Sequence, residues 1–216
     1  MFRYCPACAS ERISFKKGKV FTCPDCGFTY YHNTAAATAC IVRTRAGLLF
    51  LVRGKEPAGG KLDLPGGFVD PGEGAMDGLR REFVEELGWD PVAGVPGLAG
   101  VPGLTGVPGL TGVSGPAGES GTEKAPAAFT LFASFPNRYP YKNISYNTCD
   151  LFFYIDAPSL SKEELRLEAA EVAEVRFIKP GDLNYEDLAF ESTKRAVKAY
   201  LELAANLPAD TNLPDA

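Results

Sequence analysis

Residues 67–89 read GFVDPGEGAMDGLRREFVEELGW, and this stretch restricts the architecture more tightly than any other in the chain. Between Glu73 and Gly88 the apolar residues Met76, Leu79, Phe83 and Leu87 recur at helical intervals, which predicts an amphipathic helix with that stripe turned toward a core. Glu82, Glu85 and Glu86 stand at i, i+3 and i+4, so three carboxylates share one flank and repel one another. At about 100° per residue, Glu82 and Glu86 fall beside the Leu79 edge of the apolar stripe, close to the domain body. A merely solvated acidic face would point the other way, and a cation is the natural remedy for the repulsion. Clustered oxygen ligands suit Mg2+ or Mn2+, which hold phosphate oxygens and keep several waters. Arg81 lies four residues before Glu85 and four after Asp77, within reach of either, and steadies the carboxylates.

The segment entering this helix, Leu64-Pro65-Gly66-Gly67-Phe68 followed by Pro71-Gly72, permits a tight turn and close backbone approach. Backbone amides at Gly66 and Gly67 are placed to meet a phosphate at the helix start. An exposed charged helix after an ordinary Gly-Pro loop is the bland alternative. Gly78, inside the helix, costs about 1 kcal/mol relative to alanine.

The amino terminus carries a second signal: Cys5-Pro6-Ala7-Cys8 and Cys23-Pro24-Asp25-Cys26-Gly27, two C-x-x-C knuckles separated by a short basic stretch. Four thiolates in this arrangement, Cys5, Cys8, Cys23 and Cys26, make a tetrahedral Zn2+ site. With four protein ligands the zinc has no open position for water, so its role is structural. Residues 1–20 lack an apolar core and contain Arg3, Glu11, Arg12, Lys16, Lys17 and Lys19, unlike a secretory signal, so the expected location is cytoplasmic, with reduced thiols. Zinc ribbons also bind nucleic acid, but a net charge of −5 argues against that partner here. Cys40 and Cys149 lie in apolar or β-prone sequence and are expected to be buried, inert thiols. The chain's single histidine, His32, is expected to play a local hydrogen-bonding role, which leaves few resources for a Ser-His-Asp mechanism.

The composition, 216 residues with 45% apolar and 23% charged, suits a soluble enzyme with one sizeable core plus the ribbon. No apolar run is long enough to span a bilayer. Strands are expected at Ala36–Val42, Leu48–Arg53, Phe129–Phe135, Asn147–Ile155 and Val172–Ile178, with a terminal amphipathic helix over Ala189–Ala205. Phe190, Val197, Tyr200, Leu201 and Leu203 are its apolar positions. The mixture implies an α+β sandwich. The expected organisation is a zinc ribbon over 1–33, a domain over 34–206, and a flexible tail over 207–216. Residues 94–118 interrupt the domain with a six-residue repeat, Gly-Val-Pro-Gly-Leu-Ala/Thr, that is collagen-like over this short run. Its glycine and proline content predicts an expanded, turn-rich insertion, with a partner-binding or trimerising element as the alternative.

The run from Gly67 to Trp89 resembles the Nudix box, whose pattern is G, five residues, E, seven residues, R-E-U-x-E-E-x-G-U with U a bulky aliphatic residue. Every spacing fits, although Phe83 and Trp89 are bulkier than the usual aliphatics. The cysteine knuckles followed by Phe28-Thr29-Tyr30-Tyr31-His32-Asn33 resemble the zinc-ribbon branch that includes NADH pyrophosphatases. The resemblance covers residues 2 to about 90 and 127 to about 205. It implies an α/β/α sandwich and hydrolysis of a nucleoside diphosphate linked to another moiety, such as an NAD(H)- or ADP-ribose-like substrate. It also implies that Glu82, Glu85 and Glu86 hold catalytic Mg2+ or Mn2+. Glu171, shortly before a late strand, completes the shell or acts as the base, with Glu168 and Glu174 as rivals. Arg53, at the end of its strand, is placed to clamp a phosphate, and Tyr139, Tyr141 or Phe135 to stack on a base. The NADH-specific branch carries a Ser-Gln-Pro-Trp-type motif after the box, where this chain has Ser134-Phe135-Pro136-Asn137-Arg138-Tyr139-Pro140-Tyr141. Metal-assisted attack of water on a pyrophosphate phosphorus is the implied chemistry. A non-catalytic nucleotide sensor or regulator and an RNA decapping-type hydrolase are the alternatives; the intact glutamate set argues against the first and the acidic balance against the second. The expected partner is a small nucleotide, with no membrane, and a homodimer is compatible with the sequence.

Overall fold

The computed structural model describes residues 2–93, 129–142 and 144–206. The repeat at 94–118 and the tail at 207–216 lie outside them. Near the amino terminus, β1 (Ser14–Lys16), β2 (Val20–Thr22) and β3 (Thr29–Tyr31) form a three-stranded antiparallel sheet in that order. Phe21 is the buried centre of this sheet, with the Phe2 and Phe15 rings 5.1 and 6.0 Å away.

The main sheet is built from β4 (Ala35–Thr44), β5 (Gly47–Arg53), β6 (Leu62–Asp63), β7 (Thr130–Tyr141), β8 (Ile144–Asp156) and β9 (Val172–Ile178). β4 pairs in parallel with β8, and the remaining ladders are antiparallel: β4 with β5, β5 with β6 and β9, β7 with β8. Alternation along β5 shows how the sheet serves two cores. Leu49 and Leu51 face one side, where α1 (Ala75–Leu87) contributes Leu79, Phe83 and Leu87. Leu48, Phe50 and Val52 face the other, where α2 (Glu191–Ala205) contributes Ala196, Val197 and Tyr200. A sheet covered by one helix on each face is the α/β/α sandwich that the resemblance implied, within the α+β class expected from the mixture of elements.

The elements depart from their expected limits for physical reasons. β7 continues beyond Phe135 through Pro136 and Pro140 because it lies at the sheet edge, where a missing N–H removes no ladder bond to an outer neighbour. α1 begins at Ala75 because the Glu73 carboxylate accepts the Asp70 N–H at 3.0 Å, and the Gly74 N–H donates to Asp77 Oδ2 at 3.3 Å. It ends on Gly88, whose φ of 59° is left-handed. α2 begins at Glu191, since the Ala189 N–H donates to Leu62 O at 2.8 Å and holds that residue extended. Cys40 is fully buried, as expected. Cys149 corrects the other half of that expectation: it is exposed, because the β8 alternation turns Thr148 and Asp150 inward and places Cys149 on the opposite face. His32 packs its ring 6.0 Å from Phe15 and 6.4 Å from Tyr30, and its backbone N–H donates to Lys19 O at 2.7 Å.

Candidate active site and metal centre

β4 and β5 pair only over Val42–Thr44 and Gly47–Leu49, and then diverge. The loop before α1 fills the wedge: Cys40 N–H donates to Pro65 O at 3.0 Å, Thr38 N–H to Gly67 O at 2.8 Å, and Val69 N–H to Ala36 O at 3.1 Å. The Gly66–Gly67 turn is thereby fastened to β4 and lies directly beneath α1. Gly66 N–H donates to Glu86 Oε2 at 2.9 Å. Burial raises the Glu86 carboxyl well above its ordinary range, the Gly66 bond opposes this, and the neighbouring Glu82, Asp63 and Glu171 charges add to it. Glu82 is raised too, by burial first, against the pull of Arg81.

Arg81 is the cation at the centre of this acidic face. Its Nε donates to Glu73 Oε1 at 2.7 Å, its Nη1 to Glu82 Oε1 and Glu85 Oε2 at 2.9 Å each, and its Nη2 to Phe68 O at 3.0 Å. The guanidinium holds the Glu73 carboxyl below its ordinary range. The reach to Glu85 was anticipated from the helical spacing; the tie to Glu73 and to the loop was not.

A second strip of chain closes the site from the far side. Arg166 N–H donates to Leu87 O at 2.7 Å and Glu168 N–H to Glu86 O at 3.1 Å, so residues 166–168 are zipped to the end of α1. Gly54 N–H donates to Glu171 O at 2.7 Å, and Lys55 Nζ pairs with the Glu171 carboxylate. The result is a cavity of about 560 Å³ lined by Arg53, Gly66, Gly67, Glu82, Glu85, Glu86, Tyr139, Glu168 and Glu171. Glu174 does not line it, and is paired with Arg176 at 2.9 Å and Lys162 at 3.6 Å.

Arg53 reaches the cavity with its donors engaged. Nη1 bonds Asp63 Oδ2 at 2.8 Å, Nε bonds Pro57 O at 2.7 Å, Nη2 bonds the Tyr139 hydroxyl at 3.4 Å, and the guanidinium lies 5.1 Å from the Phe190 ring centre. A phosphate would have to compete with these partners. Tyr139 in turn sits between Phe68 and Phe190, at ring distances of 5.4 and 5.6 Å. Sequence reasoning missed Lys55, Asp63, Phe68, Thr148, Asp150, Phe190 and Thr193, all of which line the cavity. A signal existed for two of them: Asp63 stands between Leu62 and Leu64, and Asp150 directly precedes the apolar run Leu151-Phe152-Phe153, a pattern that costs stability unless each charge has partners.

Among the described residues, Cys5, Cys8, Cys23 and Cys26 are the one group of three or more His, Cys, Asp or Glu residues whose ligand atoms all lie within 4.8 Å of one another. The glutamate oxygens around the cavity are spaced more widely. Each knuckle is a backbone turn, with Ala9 N–H donating to Cys5 O at 2.9 Å and Gly27 N–H to Cys23 O at 3.0 Å. The Sγ separations of 3.6 Å for Cys5–Cys26 and 3.7 Å for Cys8–Cys23 match the edge of a tetrahedron with Zn–S of about 2.3 Å, which is about 3.8 Å. The four thiols therefore fit a structural zinc ion.

The sheet between two helices, with the glycine turn under a glutamate helix, has the Nudix fold, and it is preceded by a four-cysteine cluster that fits a zinc site. Residues 32–113 match the family model for the NUDIX domain. Two curated relatives are NAD-capped RNA hydrolases named NudC. That of Stutzerimonas stutzeri is 32% identical over 88 residues, 41% of this chain, and that of Chromobacterium violaceum is 35% identical over 86 residues, 40% of this chain. Each match spans 32% of the relative's own length. Among solved structures, a NUDIX hydrolase from Nitrosomonas europaea shares the fold with a TM-score of 0.59 at 21% identity, covering 96% of both chains. The NUDIX domain of Shewanella oneidensis NrtR, complexed with ADP ribose, does so with a TM-score of 0.53 at 14% identity, covering 80% of this chain and 90% of that one. Among the described residues, no helix is long and apolar enough to cross a membrane.

Proposed function

We propose that this chain is a metal-dependent pyrophosphatase that cleaves the diphosphate of a nucleoside diphosphate linked to a second moiety. The observation that carries the reading is the convergence of Glu82, Glu85 and Glu86 from one helix, the Gly66–Gly67 turn and Glu171 on a single cavity. The donor set is all carboxylate oxygen, which fits Mg2+ or Mn2+ and no softer ion. Glu82, Glu85 and Glu86 would hold the cation, which supplies charge neutralisation at the phosphate oxygens and a more acidic water. Glu86 is the best-oriented of the three, since Gly66 N–H fixes one of its oxygens. Arg81 fixes Glu82 and Glu85 from the outer side. Glu171 closes the carboxylate set opposite α1, where it accepts a proton from the attacking water or completes the metal shell. Lys55 pairs with Glu171 at the cavity edge and is the cation most free to turn toward a phosphate. Phe68, Tyr139 and Phe190 supply the aromatic wall on which a base or pyridine ring would stack.

The test is incubation of the full chain under Mg2+ with NADH, ADP-ribose, dinucleoside polyphosphates, nucleotide sugars and NAD-capped RNA, the last prompted by the names of the curated relatives. Release of two phosphorylated products by hydrolysis of one phosphoanhydride bond in one of these, two monophosphates where the substrate is a diphosphate, supports the proposal. Tight binding without turnover across the panel replaces it with a nucleotide-sensing role, and turnover of capped RNA alone assigns a decapping role.

A further inference from the structure

On the wall of the same cavity, β8 presents two polar groups that the chemistry above does not use. Thr148 and Asp150 are two residues apart on one strand and therefore share a face. Both are more than nine-tenths buried, with exposures of 2% and 8%. Asp150 Oδ2 accepts the Ser192 hydroxyl at 2.7 Å from the first turn of α2. Asp150 Oδ1 and Thr148 Oγ1 have no hydrogen-bond partner. Buried polar atoms are seldom left in this state, because an unmade bond forfeits the full cost of desolvation. On the β4 side the parallel register sets Ala35 beside Thr148 and Ala37 beside Asp150, and on the β7 side Asn137 and Phe135 stand opposite them. Tyr139 and Phe190 line the same cavity and provide a ring-binding surface nearby.

We propose that Asp150 and Thr148 form a specificity subsite that reads an amino group next to an acceptor atom on the ligand's ring system. A carboxylate oxygen accepts, so the unpartnered Asp150 Oδ1 is matched by an N–H or O–H and not by the oxygens of a phosphate or carboxylate. The Thr148 hydroxyl can donate, and it lies one pleat away. An –NH2 beside a ring nitrogen or a carbonyl satisfies both at once. That edge occurs in two places on a pyridine–adenine dinucleotide: the carboxamide of the pyridine ring and the 6-amino edge of the purine. Substrate discrimination would then arise on β8, on a different element of the cavity from the α1 glutamates that the cleavage uses. For turnover the inference rests on the pyrophosphatase reading; for binding it does not.

The experiment compares NAD, its nicotinate analogue and its hypoxanthine analogue, in wild type and in Asp150→Asn and Thr148→Val. Replacing the amino group in the ring that occupies the subsite should lower kcat/KM by about 10-fold or more, since a site built around a donor discriminates strongly against its loss. The affected analogue identifies the ring. Asp150→Asn should erase most of that preference by lowering kcat/KM for NAD and for the unaffected analogue, which both present the amino group, toward that of the affected one. Thr148→Val should weaken the preference in the same direction, and it carries the test if Asp150→Asn fails to fold. Equal kcat/KM for all three ligands in the wild type, or an undiminished preference in the folded variants, overturns the proposal. If none of the ligands is cleaved, the pyrophosphatase reading falls, and calorimetric titration of the same three ligands then decides the subsite by the same preference in affinity.

Discussion

Adding a single methyl group at Gly66 or at its neighbour Gly67 should produce two different failures. At Gly66, φ is +141° and a Cβ would lie 2.1 Å from Thr38 O and 2.8 Å from Ala39 Cα, both in the backbone of β4. Ordinary contact begins near 3.4 Å, so β4 would have to retreat by about 1.3 Å, carrying with it the bonds that fasten the loop. Overpacking of this kind costs about 1–3 kcal/mol, and a strained φ adds about 1–3 kcal/mol. For a chain of this size, Gly66→Ala should therefore lower the melting temperature by roughly 5–20 °C. At Gly67 the obstacle is the end of a side chain: the new Cβ would meet Glu82 Oε1 at 2.4 Å and Cδ at 2.5 Å. The carboxylate can swing away, so the fold should survive with a melting temperature within about 3 °C of wild type. What it cannot do is stay where a cation would need it. A displacement of about 1 Å in a positioned group costs on the order of 100-fold in turnover.

The assay is a melting curve together with kcat/KM at saturating Mg2+ on the best substrate of the panel, for Gly66→Ala, Gly67→Ala, Glu82→Gln and the Gly67→Ala/Glu82→Gln double variant. Because Gly67→Ala acts through Glu82, the double variant should be little worse than Glu82→Gln alone, a strongly non-additive pair. Wild-type turnover in Gly67→Ala would falsify the role given to Glu82, and a melting temperature as low as that of Gly66→Ala would refute the distinction between backbone and side-chain collision.

The far wall gives a second contrast. Glu171→Gln should lower kcat by on the order of 10-fold or more, whereas Glu174→Gln, which loses only its exposed pairing with Arg176 and Lys162, should stay within about twofold, as measured by steady-state kinetics on folded protein. The ribbon should carry about one zinc per chain by elemental analysis, and Cys23→Ser should lose that zinc and lower the ribbon's protection from proteolysis; a zinc-free chain with an intact ribbon contradicts the tetrahedral assignment. Arg80 donates to Asp90 Oδ1 at 3.0 Å and Oδ2 at 2.5 Å, chiefly through which the Asp90 carboxyl is lowered. A lowered carboxyl contributes stability that is present above its unfolded value of about 3.9 and is lost as pH falls through the lower folded value. The melting-temperature deficit of Arg80→Met should accordingly be seen at neutral pH and disappear below that window; a deficit that persists there assigns the effect to lost packing of the Arg80 stem instead.

What could be read from the chain and what could not divides along the distance over which the evidence is spread. Leu79, Phe83 and Leu87 fix the buried stripe of α1 by spacing alone, and once the stripe is fixed the inward position of Glu82 and Glu86 follows from the same period. The cysteine pairs need only local turns to bring their sulfurs together. β7, by contrast, was cut short at Pro136, since a proline ends a strand unless that strand lies at an edge, and edge position depends on the pairing of all the others. Cys149 was misplaced for a related reason: an apolar-looking residue in a strand can face either side, and only the register with β4 and β7 decides which. The same register explains why Asp150 could not be recognised as a site residue. Its partner Ser192 is 42 residues away on α2, and the alanine that leaves it room, Ala37, is on a strand near the other end of the domain. An aspartate that opens an apolar run in a strand signals that something must compensate its burial, and local periodicity carries no information about where the compensation lies. The half of the cavity that resides on one helix was therefore legible in the sequence, and the half assembled across the sheet from β4, β8, α2 and the 166–171 strip became visible only with the register in hand.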